Sequence, residues 1–349
     1  MPVFRADQLA RIATGIFVAA GSPRERAELV SEFLVRANLA GQDSHGVIRI
    51  VQYVKAIEHG DIKPGAKIEV VRETPTSALV NGNWGFGQVG AKRAMEIAVE
   101  KAREHSVSAV CACNLYHVGR LADYTQIALE NGMIGIAMAN STKRVAPHGG
   151  RESLLSTAPV SFAFPAFEEK PFILDIATSV CAEGKVRVML HKGEKLSYGY
   201  IIDSEGNPSD NPEDLYRGGA ILPLGGDLVG YKGFGLALAV EALSGILSGD
   251  GCAYEARKKG NGVFFQAINL ESFTPVDGFK RQMDGLIRAV KSSKLRPGFE
   301  EILMPGELEF RTEQKRLKEG IHVPEKTWEE IRNLADRMNV DMVSLLEHD

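Results

Sequence analysis

The hydrophobic period changes along the chain, and this change limits the possible folds more than any other feature. Apolar residues recur with helical spacing before Pro64, whereas short β-rich runs follow Pro64 and continue to Ser179. Helical patterns lie between some of these runs and return at the carboxyl end. Helical spacing predicts helices with one buried face, and short runs rich in β-branched residues predict strands. We therefore expect an α/β (α+β) middle with a helical domain made from both termini.

Capping signals predict where two of the helices begin. Ser22 and Glu25 form a capping box ahead of the second helix, with proline at its first position, and Thr327 and Glu330 form another ahead of the last helix. The expected helices are two within residues 5–41, one each at residues 46–58, 89–104 and 327–338, and a long apolar helix after Tyr231.

Length, charge and cysteine content restrict the class of protein. A chain of 349 residues is long enough for two or three domains. Its net charge of -4 provides no basic surface for nucleic acid or an anionic membrane, so we expect neither partner. Asp7 and Arg11 interrupt the amino-terminal segment, which lacks the apolar core of a signal peptide. Four cysteines do not make a disulfide framework in a chain of this length, and free thiols fit a cytoplasmic location.

The stretch GFGQVG at residues 85–90 has the G-x-G-x-x-G spacing of a dinucleotide-binding turn. It follows a strand pattern and precedes a helix, as a Rossmann site requires. The second strand, however, ends in Asn114 rather than in an acidic residue that could bind a ribose hydroxyl. Trp84 and Phe86 are also bulky where a pyrophosphate needs close backbone approach. We therefore interpret GFGQVG as a strand-to-helix turn without a ligand.

His45, Arg49 and Tyr53 are spaced four residues apart in the segment DSHGVIRIVQY. On one helix their side chains would share a face, because successive members turn by only about 40°. An imidazole can exchange a proton near neutral pH, and a guanidinium can bind a carboxylate through two parallel hydrogen bonds. The pattern indicates a site for an acid substrate, and a solvated helix face with Arg49 paired to a surface acid is the alternative.

Two further histidines lie in or near turns. His117 follows the run VSAVCAC, at a strand end where functional side chains collect in α/β folds, and a capping or core histidine is the alternative. His148 lies in the turn APHGG, where an exposed histidine without a ligand is the favoured interpretation. No histidine or cysteine spacing matches a zinc site, so we expect no metal.

Seven motifs together resemble one known family. They are DSHGVIR, YHVGRLADYT, APHGG, DIATS, EGKV, LPLGG followed by GYKGFGLALAVEALSG, and MPGE. In order and spacing they are similar to the type 2 malate/L-lactate dehydrogenase family, over about residues 9–320. The resemblance implies a non-Rossmann NAD(P)-binding fold and a homodimer. We expect residues 1–75 and 308–349 to form the helical domain and residues 76–307 an α/β domain for cofactor binding and dimerisation.

The activity that the resemblance implies is reversible hydride transfer between a nicotinamide cofactor and a small 2-oxo or 2-hydroxy acid such as malate or lactate. Reduction of a cyclic imino acid, and cofactor binding without catalysis, are alternatives on the same fold. The family's catalytic histidine corresponds to His45 or to His117, and both are candidates. Ser44, Arg49 and Tyr53 would line the substrate site, with Arg49 binding the carboxylate.

The resemblance also implies which residues contact the cofactor. They lie in three segments, namely Ile173, Leu174, Asp175, Ile176, Ala177, Thr178 and Ser179, then Tyr231 and Lys232, then Pro305, Gly306 and Glu307. Where many relatives have arginine before Gly-Lys, this chain has Glu183, whose charge would repel a 2′-phosphate if it lies near that group. We therefore expect NAD, with NADP as the alternative. The sequence shows no strongly basic pair beyond Arg49 that would indicate a dicarboxylate, so it does not identify the acid.

Overall fold

The computed structural model describes residues 1–255 and 259–347. Its helices are α1 (Ala6–Ala19), α2 (Arg24–Leu39), α3 (Arg49–Glu58), α4 (Gly87–His105), α5 (Ala122–Glu130), α6 (Glu183–Lys192), α7 (Pro212–Tyr216), α8 (Gly226–Val240), α9 (Val276–Lys291), α10 (Glu307–Glu319), α11 (Glu325–Arg337) and α12 (Met342–Glu347). A 3-10 turn covers Asp43–His45, and α8 continues into a π-helical segment, Glu241–Ile246. Within the described ranges, no helix is long and apolar enough to span a bilayer.

The strands are β1 (Val3–Phe4), β2 (Glu69–Glu73), β3 (Ser77–Gly85), β4 (Val107–Leu115), β5 (Met133–Ala139), β6 (Val160–Phe164), β7 (Phe172–Ile176), β8 (Ile201–Ile202), β9 (Pro208–Ser209), β10 (Ala220–Ile221), β11 (Asn261–Asn269) and β12 (Ile321–His322). Seven of them form a mixed sheet in the order β2-β3-β4-β11-β5-β6-β7. β3 pairs with β4 in parallel, through the crossover helix α4, and the other neighbours in this sheet are antiparallel. A Rossmann domain has a mostly parallel sheet, so the expected non-Rossmann α/β architecture is confirmed.

Both ends of the chain contribute to one helical layer, as expected. α1 packs against α2, α3 and α12, and α11 packs against α3. β1 pairs with β12, which joins the two ends of the chain. Phe17, Tyr53 and Leu334 are buried in the apolar cluster of this layer. Phe86 of the GFGQVG turn belongs to the same cluster, with its ring centroid 5.6 Å from that of Phe17. A bulky residue stands in this turn because it fills the core of the helical layer.

A second apolar cluster lies between the sheet and helices α4 and α5. Met95 of α4, Tyr124 of α5 and the strand residues Val110 and Phe265 are fully buried in it. Burying an apolar side chain of this size stabilises a fold by about 1.5–3 kcal/mol. This packing anchors β4, and the polar residues of the candidate site follow directly after that strand.

The two expected capping boxes are wrong. α2 begins at Arg24 with Pro23 as its N-cap, and the Ser22 hydroxyl donates to the Pro23 carbonyl oxygen (3.1 Å) instead of capping the helix. α11 begins at Glu325, also after an N-cap proline, so Thr327 lies inside the helix. In both cases the proline occupies the N-cap position, one residue earlier than the helical position at which it is usually found.

Two other helices begin at residues that the periodicity did not indicate. α3 begins at Arg49 rather than at Gly46, because Gly46 has an extended backbone (φ -86°, ψ -153°) that separates α3 from the turn containing His45. α8 begins at Gly226, so Tyr231 and Lys232 lie within this helix rather than before it.

Candidate active site

A glycine of the GFGQVG turn lets the start of α4 contact the segment that follows β4. A Cβ atom at Gly87 would lie 2.4 Å from the carbonyl oxygen of His117, which is closer than heavy atoms can approach. Residue 87 is therefore glycine because of a close backbone approach. The backbone of Tyr116 and His117 fills the space beside this turn, where a Rossmann domain would bind a pyrophosphate.

Hydrogen bonds from three elements fix the chain next to His117. The backbone N–H of Val118 donates to Oδ1 of Asn261 in β11 (2.9 Å), and the hydroxyl of buried Tyr124 donates to the Val118 carbonyl. Nδ2 of Asn261 donates in turn to the carbonyl of Asn140 (2.6 Å). His117 thus stands on a rigid segment, as a residue that transfers a proton between fixed positions requires.

Behind His117 lies a buried pair of polar side chains. The Tyr53 hydroxyl is 2.7 Å from Nδ1 of His117, and Nε2 of Gln88, the glutamine of GFGQVG, donates to that hydroxyl (2.8 Å). Tyr53 is 0% exposed and Gln88 is 1% exposed. Water therefore does not compete for these bonds, which hold the rings of Tyr53 and His117 in place.

With the Gln88 amide oriented so that its Nε2 donates to Tyr53, the bonds assign the protons on the two histidines. A phenol has one proton, and since the Tyr53 oxygen already accepts from Gln88, that proton goes to Nδ1 of His117. The neutral His117 ring then carries its own proton on Nε2, which lies 3.2 Å from Nδ1 of His45. The two rings are nearly parallel, at an angle of 4°. His45 carries its proton on Nε2, which forms no hydrogen bond to the described residues and is available to a ligand.

Both imidazoles are uncharged near neutral pH. Burial lowers the pKa of His45 to about 4, and the positive charges of Arg49 and Arg120 add to this effect. Burial, Arg49 and His45 together hold the pKa of His117 well below its usual value. A neutral imidazole can accept the proton of an alcohol, and a bound anion would offset the nearby positive charges and make protonation easier.

Arg49 is positioned at the first residue of α3. Its Nε donates to the carbonyl of Ser44 (2.7 Å), and a terminal nitrogen donates to Oε1 of Gln52 (2.6 Å). Burial lowers the pKa of this guanidinium from its usual range. No carboxylate among the described residues pairs with Arg49, so its charge is available to an acid substrate.

Ser44, His45, Arg49 and His117 line one cavity of about 300 Å³. The structure thus brings together four of the five residues expected at the substrate and proton-transfer site. Tyr53 is fully buried behind His117 and does not line the cavity, so the expectation that it contacts the substrate is corrected. The expected single helical face is also wrong, because His45 lies in the 3-10 turn before Gly46. His45 joins the other residues of the cavity through its hydrogen bond to His117.

Sequence reasoning did not place several charged residues in this cavity. Arg144, Glu183, Arg187 and Lys259 also line it. They lie far from the DSHG motif in sequence, and only the tertiary fold places them beside it. Glu183 lines the histidine cavity and not the cavity formed by the expected cofactor residues. Its carboxylate accepts hydrogen bonds from Arg187 (2.8 Å) and from the Tyr216 hydroxyl (2.7 Å).

Six of the expected cofactor residues form part of a second cavity of about 320 Å³. They are Ile173, Leu174, Asp175 and Ile176 of β7, with Pro305 and Gly306 of the turn before α10. The N–H of Ile173 donates to the carbonyl of Pro305 (3.1 Å), which joins the two segments. Gly306 has φ +95°, and a Cβ atom there would lie 3.2 Å from the Ile173 carbonyl oxygen. Glycine suits this turn because it adopts a positive φ without strain and has no Cβ atom to crowd the Ile173 carbonyl oxygen.

The lining of this second cavity fits a nucleotide. Arg120 is 7% exposed, and its Nε is buried without a hydrogen-bond partner in the described part of the chain. Such a donor suits a phosphate oxygen, whereas Asp175 and Glu309 provide acceptors for ribose hydroxyls. Burial raises the pKa of Asp175 to about 6, and its Oδ2 accepts from the N–H of Ala122 (2.8 Å). Arg120 also contributes to the low pKa of His45, so the two cavities are electrostatically linked.

The remaining expected cofactor residues do not line this cavity. Ala177 is half-buried, and Thr178 and Ser179 are buried. The N–H of Leu224 donates to the Thr178 carbonyl (2.9 Å), so this segment leads to the start of α8. The Ser179 hydroxyl donates to the carbonyl of Cys181 (2.7 Å).

Three more lie on helices. Tyr231 and Lys232 are exposed on α8, and the Tyr231 ring lies 6.1 Å from that of His148. Glu307, at the start of α10, pairs with Lys291 and accepts from the N–H of Met304 (3.2 Å). The Glu307 carboxylate therefore stabilises the turn that precedes α10. Among the residues described, no group of three or more His, Cys, Asp or Glu is arranged to hold a metal ion.

Comparisons with known proteins match one family over nearly the whole chain. The profile of a family described as malate/L-lactate dehydrogenase matches residues 4–332. A malate dehydrogenase of Pyrococcus abyssi is 42% identical over 342 residues, covering 96% of this chain and 94% of that protein. An L-sulfolactate dehydrogenase of Methanocaldococcus jannaschii is 37% identical over 333 residues, covering 94% of each. The solved structure of malate dehydrogenase from Pyrococcus horikoshii OT3 has a TM-score of 0.91 at 38% identity, covering 97% of this chain and 96% of that one.

Proposed function

The chain belongs to the malate/L-lactate dehydrogenase family and is a hydroxy acid oxidoreductase acting on CH–OH groups, and from this premise we propose which residues carry its chemistry. The proposed reaction is reversible hydride transfer between a nicotinamide cofactor and C2 of a small 2-oxo or 2-hydroxy acid. The observation that carries this proposal is the hydrogen-bonded pair of His45 and His117 in one cavity with Arg49, whose guanidinium has no acidic partner in the described residues.

In the proposed mechanism Arg49 binds the carboxylate of the acid and so fixes its neighbouring carbon atom. During oxidation the two neutral rings adopt the opposite tautomers, in which Nδ1–H of His45 donates to His117, Nδ1–H of His117 donates to the Tyr53 hydroxyl, and that hydroxyl donates to the Gln88 amide turned by 180°. Nε2 of His45 then carries no proton and accepts the hydroxyl proton of the substrate, which the low pKa of both rings permits near neutral pH. During reduction the same pair returns a proton to the carbonyl oxygen. His45 is the proposed contact with substrate because its Nε2 is available, and His117, Tyr53 and Gln88 fix the orientation of its ring. The bound nicotinamide supplies or accepts the hydride.

We propose that the nucleotide lies along β7 and the turn at Pro305 and Gly306, with Arg120 contacting a phosphate. NAD is favoured over NADP for a reason other than the one that the sequence suggested. The carboxylates of Asp175, Glu309 and Glu313 line this cavity, and acidic side chains suit ribose hydroxyls and repel a 2′-phosphate. The contacts expected from Thr178, Tyr231 and Lys232 remain part of the proposal.

The proposed assembly is a homodimer. α8 and the π-helical segment after it expose Leu236 (37%), Leu238 (45%), Ile246 (65%) and Leu247 (58%). Exposed large apolar side chains along consecutive turns of a helix favour an interface between proteins. We retain residues 1–75 with 308–349, and residues 76–307, as the proposed domains. The cytoplasm is the proposed location, in keeping with four free cysteine thiols.

A panel of substrates tests the reaction. Wild-type protein is mixed with NADH or NADPH and with pyruvate, 2-oxobutyrate, oxaloacetate, an arylpyruvate or piperideine-2-carboxylate, and the loss of reduced cofactor is followed by absorbance. Turnover of at least one 2-oxo acid, with NADH preferred, is the expected result. Turnover of the cyclic imine alone, or of none of the compounds, would contradict the proposed reaction.

A further inference from the structure

A buried carboxylate lies behind the wall of the histidine cavity. Glu241 is 4% exposed and begins the π-helical segment that continues α8. It does not line the cavity and has no part in the proposed mechanism. Burying a carboxylate is costly unless hydrogen bonds satisfy it, and π-helical turns within α-helices occur often at functional sites. The hydrogen-bond partners of Glu241 therefore indicate what this carboxylate does.

Four donors among the described residues satisfy the Glu241 carboxylate. Its Oε1 accepts from the Ser156 hydroxyl (2.8 Å) and from the Ser156 N–H (3.4 Å). Its Oε2 accepts from Nδ2 of Asn140 (3.0 Å) and from the N–H of Ala253 (3.1 Å). A carboxylate accepts at both oxygens, whereas an amide has one oxygen and a nitrogen that only donates. Glutamine at this position would therefore place its NH2 group against a donor.

Two of these partners directly precede residues of the cavity lining. Asn140 follows β5 and comes before Ser141, whereas Ser156 precedes β6 and comes before Thr157. Both Ser141 and Thr157 line the cavity. Since the backbone position of a residue depends on that of its neighbour, Glu241 holds two separate segments of the wall at once.

A further line of hydrogen bonds runs from Asn140 to the chain beside His117. Nδ2 of Asn261 donates to the Asn140 carbonyl (2.6 Å), and Oδ1 of Asn261 accepts from the Val118 N–H (2.9 Å). Asn261 also lines the cavity. The Asn140 amide is itself fixed, because its Oδ1 accepts from the N–H of Gly262 (3.0 Å). Buried hydrogen bonds thus connect the π-helical segment to the backbone next to a histidine of the proton-transfer pair.

We propose that Glu241 is a positioning residue for proton transfer, which acts through Asn140 and Asn261 on the backbone next to His117. The inference rests on the proposed function of the histidine pair and extends it to a residue outside the cavity. A displacement of about 1 Å at a reacting group can slow a reaction about 100-fold. A carboxylate that holds this wall can therefore affect the rate without contacting the substrate.

Arg49 is independent of this path. It lies on α3, where its guanidinium donates to the Ser44 carbonyl and to Oε1 of Gln52. The carboxylate-binding side and the His117 side of the cavity are thus fixed by different elements. Loss of the Glu241 carboxylate should slow proton transfer more than it weakens substrate binding.

Glu241→Gln tests this role, because it keeps the size of the side chain and removes one acceptor. For the 2-oxo acid that wild type reduces fastest, we expect kcat to fall about 10-fold or more and KM to stay within about 3-fold of wild type. A second measurement needs no turnover. In protein with isotopically labelled histidine, the NMR signals of the His117 ring nitrogens, assigned by their absence in His117→Gln, should shift in Glu241→Gln.

Asp284→Asn is the matched control. Asp284 is also 4% exposed, and its carboxylate accepts from the N–H groups of Phe167, Glu168 and Glu169 (3.0, 2.9 and 3.3 Å). It does not line the histidine cavity. This variant should lose thermal stability, as Glu241→Gln should, but it should keep the wild-type kcat and the wild-type histidine signals.

Ser156→Ala removes one donor and keeps the carboxylate, so it decides the question if Glu241→Gln does not fold. It should lower kcat by about 3-fold and shift the same signals less. Unchanged His117 signals or a wild-type kcat in the folded variant would overturn the inference, and so would an equal loss of kcat in Asp284→Asn. If no 2-oxo acid is reduced but the His117 signals shift in Glu241→Gln and not in Asp284→Asn, the proposed reaction fails while the positioning of His117 stands.

Discussion

The Tyr53 hydroxyl lies 2.7 Å from Nδ1 of His117, the ring nitrogen opposite the one that faces His45. This contact links the tautomer of each histidine to the orientation of the Gln88 amide. Gln88 lies in the glycine-rich turn that has the spacing of a nucleotide-binding motif, and its Nε2 donates a hydrogen bond to the Tyr53 hydroxyl. The turn therefore serves the proton-transfer site by supporting a histidine, and the backbone of that same histidine fills the space that a pyrophosphate would need.

Replacing Tyr53 by phenylalanine keeps the buried ring and removes the hydrogen bond to His117. We expect kcat to fall about 10- to 100-fold with a smaller change in KM, since a misoriented base slows proton transfer without removing carboxylate binding. Gln88→Leu should act in the same direction. Because the two residues act through one contact, the double variant should be no slower than Tyr53→Phe alone. Steady-state kinetics of the three variants would contradict this role if their effects on kcat multiplied.

Arg49→Lys tests the binding of the substrate carboxylate. Lysine keeps the charge but cannot donate two parallel hydrogen bonds, so KM for 2-oxo acids should rise by about 10-fold or more while kcat changes less. Arg151→Lys, at an exposed ion pair outside the cavity, is the control and should match wild type. A variant that keeps the wild-type KM would show that another residue binds the carboxylate.

The pH dependence of hydroxy acid oxidation follows from the depressed histidine pKa values. The acceptor must be neutral, and the pKa of His45 is lowered from 6.5 to about 4. Oxidation therefore stays possible as the pH falls through 6.5, and kcat/KM should decrease only as the pH approaches the lowered value. The pH profile of kcat/KM reports groups in the free enzyme and is the appropriate measurement. A decrease centred near pH 6.5 would show that the histidine pair is not desolvated as described.

The exposed apolar surface of α8 and the π-helical segment predicts the oligomeric state. Light scattering at micromolar concentration should give twice the chain mass of 37.9 kDa for wild type. Leu236→Glu combined with Ile246→Glu should shift the protein towards that chain mass, because burying two carboxylates in an apolar interface is unfavourable. Leu317→Glu, at a 60% exposed position on α10, is the control and should remain dimeric. Wild-type protein that shows the chain mass alone would contradict the assembly.

Much of the fold could be predicted from local signals. The helical termini and the strand runs follow from periodicity, and the missing acidic residue after the second strand correctly argued against a Rossmann site. β11 lies beyond the expected strand runs, and its position between β4 and β5 could not be predicted either, because strand order depends on contacts between residues far apart in sequence. The start of α3 was missed for a local reason, since the extended backbone of Gly46 overrides the helical spacing of His45 and Arg49.

The site was predictable only in part. Motif resemblance indicated both histidines and Arg49, and the fold brings them together. The four-residue spacing suggested that Tyr53 lines the site, but the rotation of α3 buries it in the helical layer. Arg144 carries no motif that marks it as part of the site, and it lines the cavity because its backbone is hydrogen-bonded to Leu155 and Ile221. Charged residues that come together only through tertiary packing form no spacing motif in the sequence.

Hydride transfer to the acid is the central claim, and isotopic labelling of the product tests it most directly. The enzyme is incubated with NADH that carries deuterium at both C4 positions of the nicotinamide and with a 2-oxo acid that it turns over, and the product is analysed by mass spectrometry. We expect a 2-hydroxy acid with one deuterium at C2 from wild type, and strongly reduced product formation from His45→Gln and His117→Gln. Product without deuterium at C2, or wild-type rates of labelled product in both histidine variants, would contradict the account.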